Sequence, residues 1–270
     1  MNFNEYVDYH CRLGYDFRIP SNTNIHTTDT TYKIGELIKK KERFIFTRFG
    51  DGEILCMMNN IGINCDGNRY YPEMGENMRK SFIRLCRLAN NDSNVFIGRW
   101  LTEEYIAFMC KIYCDYCIDK SLDISIIPFV DYHSFNIHDT VLKTNNRTLF
   151  NTVGCVKNTT HKKILMGNVY SKPFIEFFKC DIFVELPISN WYDEYSIICE
   201  KLYSYIQENE DTLILMSGGI ATRILIGDLI ERYTRVSVID MGAGFDILSD
   251  RKNSRPWTYT FTDACNYFGI

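Results

Sequence analysis

Phe44-Ile45-Phe46-Thr47-Arg48-Phe49 runs directly into Gly50-Asp51-Gly52-Glu53, and the apolar run Ile54-Leu55-Cys56-Met57-Met58 follows. The β-branched and aromatic residues of the first part have the pattern of a strand. Two glycines around an aspartate let the backbone turn sharply and approach a ligand closely. The run behind them continues as a helix. A strand, a tight turn and a helix are the opening of a βαβ unit.

The rest of the chain repeats this alternation. Short β-branched and aromatic runs at 43–48, 94–98, 123–128, 162–167, 181–186, 212–217 and 235–239 read as strands. Longer patterned segments near 32–41, 52–60, 75–89, 102–118, 137–151, 171–178, 191–208 and 220–232 read as helices between them. The expectation is an α/β fold: a Rossmann-like, doubly wound, mostly parallel sheet with helices on both faces. No internal repeat, low-complexity segment or Pro/Gly/Ser linker divides the chain, so residues 1–270 are expected to form one domain, with 1–30 and 250–270 as lids or packed tails. In such sheets ligands bind outside the carboxyl ends of the strands. The loops that matter are therefore those after residues 48, 98, 128, 167, 186, 217 and 239.

Composition narrows the function classes. A net charge of −4 leaves no electrostatic footprint for nucleic acid or an anionic membrane. The run Ile38-Lys39-Lys40-Lys41-Glu42-Arg43 reads as a solvated helix end. No stretch approaches the roughly 20 apolar residues of a membrane helix, and the first residues lack the pattern of a signal peptide. Eleven cysteines without frame spacing then suggest reduced thiols and a cytoplasmic location.

Chemistry concentrates at the predicted strand ends. Asp51 and Glu53, one residue apart, can direct two carboxylates toward one divalent cation; hard oxygen ligands suit Mg²⁺ or Mn²⁺. Arg48 offers a planar fork for a phosphate beside it, and Gly50 a close backbone approach. The alternative is that Asp51 caps the helix and Glu53 complements its dipole. Ser217-Gly218-Gly219 joins the strand Leu213–Met216 to the helix opening at Ile220, a ready anion site made of unpaired N–H groups. Tight packing between strand and helix explains such glycines as well. The spacing is neither a dinucleotide fingerprint nor a P-loop. Asn190 either caps the helix beginning at Trp191 or binds a base or ribose, with Trp191 or Tyr192 stacking beneath the ring. Asp240 and Asp246 fall at the last strand end, where a catalytic carboxylate is needed.

Two other constellations compete. Cys110, Cys114 and Cys117 have the C-x₃-C-x₂-C spacing of a radical S-adenosylmethionine cluster, but the same spacing marks one face of the helix expected at 102–118. His133 and His138, flanked by Asp131 and Asp139, lack the helical pair spacing of hydrolase zinc sites.

The motifs in this order resemble the GT-D fold glycosyltransferases, a family first defined as a bacterial domain of unknown function. That family carries an Arg-Phe/Tyr-Gly-Asp-Gly-Glu strand end, matched here in full by Arg48 to Glu53. Its later Leu-Gly-Pro-Thr-Ala-Thr-x-Leu-x-x-Asp-Leu stretch is similar to Ser217 through Leu229, and its Pro-x-x-Asn to Pro187 through Asn190. Its closing Asp-Ile-Gly-His-x-Asp is similar to Asp240-Met241-Gly242, with Ala243 in place of the histidine. The resemblance implies transfer of a sugar from a nucleotide-diphosphate donor, a UDP-sugar above all, to a glycan or other hydroxyl acceptor, with Mn²⁺ or Mg²⁺ held by Asp51 and Glu53. Arg48, Gly50, Asn190, Ser217, Gly218 and Gly219 would then contact the donor. Asp246, with Asp240 and Asp193 behind it, would act as the base of an inverting reaction. An inactive sugar- or nucleotide-binding protein on the same fold is the alternative from outside enzymology.

Overall fold

The computed structural model describes residues 27–57, 68–99, 129–131, 148–208 and 210–242. Among these residues the centre is a sheet of seven strands: β1 (Ile45–Phe49), β2 (Val95–Arg99), β3 (Phe129–Asp131), β4 (Lys162–Gly167), β5 (Ile182–Glu185), β6 (Thr212–Ser217) and β7 (Val236–Asp240). Their spatial order is β3-β2-β1-β7-β6-β4-β5, and every observed pairing is parallel. The chain winds outward from β1 to β3, crosses the sheet to β4 and β5, and returns through β6 to β7. There β7 closes against β1 through Ile45↔Val238 and Phe46↔Ile239.

Parallel strands need crossover connections, and the helices supply them. They are α1 (Thr27–Lys40), α2 (Asp51–Met57), α3 (Pro72–Asn91), α4 (Thr148–Asn158), α5 (Pro173–Phe178), α6 (Tyr195–Tyr205) and α7 (Thr222–Arg232). Alternation along the strands sends side chains to two cores. Ile45, Phe49, Ile214, Met216 and Val238 meet Met74, Phe82, Leu202 and Leu225 of α3, α6 and α7. Phe44, Phe46, Leu213, Leu215 and Ile239 meet Ile34, Val153, Phe174 and Phe178 of α1, α4 and α5 on the other face. The sheet is therefore covered on both sides, as its continuous apolar strands require.

Most elements fall where the sequence pattern puts them; two differ. The expected strand at 123–128 lies outside the described residues, and the third strand is seen at Phe129–Asp131. The helix expected at 137–151 is described from Thr148 and continues to Asn158. Thr152-Val153-Gly154 is poor helix sequence by propensity. Packing overrides it: Val153 and Val156 are buried, and the Thr152 hydroxyl donates to the Thr31 carbonyl of α1 at 2.6 Å. The helix expected at 102–118, with Cys110, Cys114 and Cys117, lies outside the described residues, as do His133, His138 and Asp139.

Among the described residues, no helix is long and apolar enough to cross a membrane.

Candidate active site

The carboxyl ends of β1, β6 and β7 are neighbours in the sheet, and the turns that leave them share one buried cluster of charges. At its centre is Arg223, the second residue of α7, only 3% exposed. Its Nε donates to the Arg48 carbonyl at the end of β1, at 2.8 Å, and lies 3.2 Å from Glu53 Oε1. Its Nη2 meets Asp240 Oδ2 at the end of β7, at 2.9 Å. Its Nη1 donates to the Gly219 carbonyl in the turn after β6 and to Thr222 Oγ1 at 2.8 Å. One guanidinium thus ties together three loops that are distant in sequence.

Glu53 closes the first loop. Gly50 precedes α2, and its N–H donates to Glu53 Oε2 at 2.6 Å. This is the reciprocal arm of a capping box, which satisfies a donor the helix leaves open. Glu53 is 4% exposed, with one carboxylate oxygen on Gly50 and the other beside Arg223. Burial pushes its carboxyl above the ordinary carboxylate range, while Arg223 and the Gly50 N–H pull the other way. Asp51 is the first residue of α2; its side chain lies outside the description.

Asp240 is 1% exposed and sits between two guanidiniums. Besides Arg223, Arg48 Nη2 approaches Asp240 Oδ1 at 3.7 Å, and the Arg48 backbone N–H donates to Oδ2 at 3.2 Å. Arg48 is itself buried, and its guanidinium fills the space above Gly242. Gly242 has φ +48°, and a Cβ there would meet Arg48 Cζ at 2.7 Å, so this turn admits only glycine comfortably. Two arginines and two carboxylates make a locally balanced set. Buried charges persist only when paired and hydrogen-bonded in this way.

The other expected residues surround this cluster. Ser217 Oγ donates to the Gly242 carbonyl at 2.9 Å, joining the β6 and β7 ends. Gly218 packs tightly: a Cβ would collide with Leu186 and would stand 2.8 Å from Thr222 Cγ2. Its carbonyl accepts from the Trp191 indole. Gly219 takes φ +66°, and its carbonyl accepts from the Thr222 hydroxyl at 2.6 Å.

Of the two roles open to Asn190, the side-chain helix cap is not made. It adopts φ +54°, and its side chain makes no bond to the turn at Trp191–Glu194. Its Oδ1 instead accepts from the Arg69 N–H, and its own N–H donates to Asn68 Oδ1, each at 2.8 Å. With the Tyr71 hydroxyl donating to Asp193 at 2.9 Å, this clasp fastens the chain before α3 to the loop after β5. A shallow depression lies over it, lined by Asn68, Arg69, Asn190, Trp191 and Gly218. Asp246 and Ala243 lie outside the described residues.

Arg223 is the residue that sequence reasoning passed over. An arginine beginning a helix after a glycine turn looks like a surface residue, and no local pattern says that three strand ends converge on it. Among the described residues, no group of three or more His, Cys, Asp or Glu side chains is arranged to hold a metal ion.

An all-parallel sheet with both faces covered, and with its loops gathered at the carboxyl ends of β1, β6 and β7, defines an α/β protein with a glycosyltransferase fold. Its likeness is to solved structures of domain of unknown function 1792, described as having a distinct glycosyltransferase fold: TM-score 0.56 at 16% identity, covering 88% of this chain and 92% of that one. A selenomethionine-substituted structure of the same domain gives a TM-score of 0.53 over the same shares at 16% identity. No family model and no curated protein matches the sequence.

Proposed function

We propose that this protein is a glycosyltransferase that moves a sugar from a nucleotide-diphosphate donor, a UDP-sugar first among them, to a hydroxyl acceptor such as a glycan. The observation that carries the reading is the convergence of the acidic turn after β1 with the glycine turn after β6, on a sheet with this fold.

Asp51 is the carboxylate we assign to a divalent cation, Mn²⁺ or Mg²⁺. A hard oxygen donor at the head of α2 suits either ion. Glu53 does not fit as its partner ligand in this arrangement, because both of its oxygens are engaged inside the protein. Bound there, the cation would supply Lewis-acid stabilisation of charge on the departing diphosphate. The chain's own contribution is to hold the turns in place. The fixed Gly219 conformation sets the turn at the head of α7, where backbone N–H groups can face donor phosphates. Arg48 is committed to Asp240, so in this reading it shapes the floor of the site rather than gripping phosphate.

An inverting reaction also needs a base for the acceptor hydroxyl. Asp240, buried between two guanidiniums, serves as a counter-ion; the base we assign is Asp246.

The test is turnover of a panel of nucleotide sugars with Mn²⁺, Mg²⁺ or chelator. Wild type should consume one donor in a metal-dependent manner. Asp51→Ala should abolish that turnover with thermal stability near wild type, and Asp246→Asn should lose transfer while keeping donor affinity. An Asp51→Ala protein as active as wild type with metal chelated would overturn the assignment.

A further inference from the structure

We infer that Arg223 is a positioning residue: its guanidinium sets the Gly50–Glu53 turn against the β6 and β7 turns, and the geometry of the site depends on that fork. The inference rests on the proposed donor site for its kinetic consequence, but its structural consequence can be read without any substrate.

Arg223 reaches all three turns at once. Its contacts include the carbonyls of Arg48 and Gly219, the hydroxyl of Thr222, and the carboxylates of Glu53 and Asp240. A planar guanidinium can serve partners in these directions at once; an ammonium on a flexible stem cannot. Each contact fixes a different loop. The Arg48 and Glu53 contacts hold both sides of the Gly50-Asp51-Gly52 turn. The Gly219 contact holds the residue at φ +66°. The Asp240 contact holds the end of β7, which is linked onward through Arg48 to Gly242.

The anchoring of Arg223 is equally specific. Its backbone carbonyl accepts from the buried Ser81 hydroxyl of α3, which ties the first turn of α7 to a second helix. The fork is thus held from behind and reaches forward to the strand ends. Glu53 follows from the same geometry. In the acidic motif its carboxylate is the internal anchor, held by Gly50 and Arg223.

The experiment compares wild type with Arg223→Lys, which keeps the charge and loses the fork, and with Glu53→Gln, which keeps the acceptor for Gly50 and loses the ion pair. Native-state hydrogen exchange, followed by mass spectrometry without ligand, is the first readout. Peptides covering 48–53, 217–222 and 238–242 should exchange faster together in both variants. Peptides covering α1 and α4, on the opposite face, should match wild type. Uniformly faster exchange across the protein, or no change at the three turns, would overturn the inference. If Arg223→Lys does not fold, Glu53→Gln carries the comparison alone.

Kinetics with the donor found in the panel are the second readout. Displacing a site loop by about 1 Å costs on the order of 100-fold in rate. Arg223→Lys should therefore lower kcat by about that factor with donor KM changed little, a split that simple loss of folded protein would not give. An unchanged kcat would also overturn the inference. A wild type that turns over no sugar nucleotide would sink the glycosyltransferase reading alone, and the exchange result would still decide the role of Arg223.

Discussion

Asp51 and Glu53 carry the same functional group on either side of Gly52, and Glu53 is held inside the protein. Glu53 lies against Arg223 and Gly50 with 4% exposure, so removing its carboxylate leaves the buried guanidiniums of Arg223 and Arg48 to share Asp240. Breaking a buried pair in this way costs about 3–5 kcal/mol. Glu53→Ala should therefore lower the urea midpoint sharply, whereas Asp51→Ala should leave it near wild type. Equal midpoints for the two variants would contradict the internal role of Glu53. Local pattern singles these two residues out as candidates. It does not show that Glu53 is buried, because that depends on Arg223, at the head of a helix far along the chain, and on Asp240, 192 residues from Arg48.

The helices make the same point about packing and propensity. Gly154 in α4 and Gly227 in α7 look alike in sequence, as glycines inside helices. A Cβ on Gly154 would meet nothing within 4 Å, so Gly154→Ala should stabilise the fold by about 0.5–1 kcal/mol through helix propensity. A Cβ on Gly227 would collide with the Ser81 side chain and stand 2.9 Å from the Ser81 Cα of α3. Gly227→Ala should cost about 1–3 kcal/mol by forcing α3 and α7 apart. Thermal unfolding of the two variants in parallel tests both signs. The strands were readable because apolar runs between turn signals admit few other fates: β6 falls at Thr212–Ser217, the span its pattern predicts. The boundaries of α4 were less readable, because contacts with α1 rather than local preference decide them. The contacts of Asn190 were not readable for a similar reason, since its partners Asn68 and Arg69 come from a segment far upstream.

Across the whole molecule, the two ends of the sheet carry different burdens. The carboxyl end gathers the charged cluster, while the opposite end holds His161 just before β4. His161 is 6% exposed, its Nδ1 paired with the Thr159 hydroxyl at 2.5 Å. Burial depresses its imidazole below the ordinary 6.5. The unfolded chain therefore takes up this proton first as pH falls. The stability His161 contributes is present above pH 6.5 and is lost as pH drops toward the lower folded value. His161→Gln should flatten that fall in urea midpoints measured from pH 7.5 to 5.5, and an unchanged slope would show that other groups set it. The sheet order has a further bearing on synthesis. Because β1 is flanked by β2 and β7, a chain still emerging from the ribosome holds a strand destined for burial with one long side open until β7 arrives. The acidic turn must also wait, hydrated and without its counter-charges, for α7 and β7. Premature termination anywhere before Val236 would thus release a sticky strand edge and an unmade site together, and proteolysis should clear such fragments quickly.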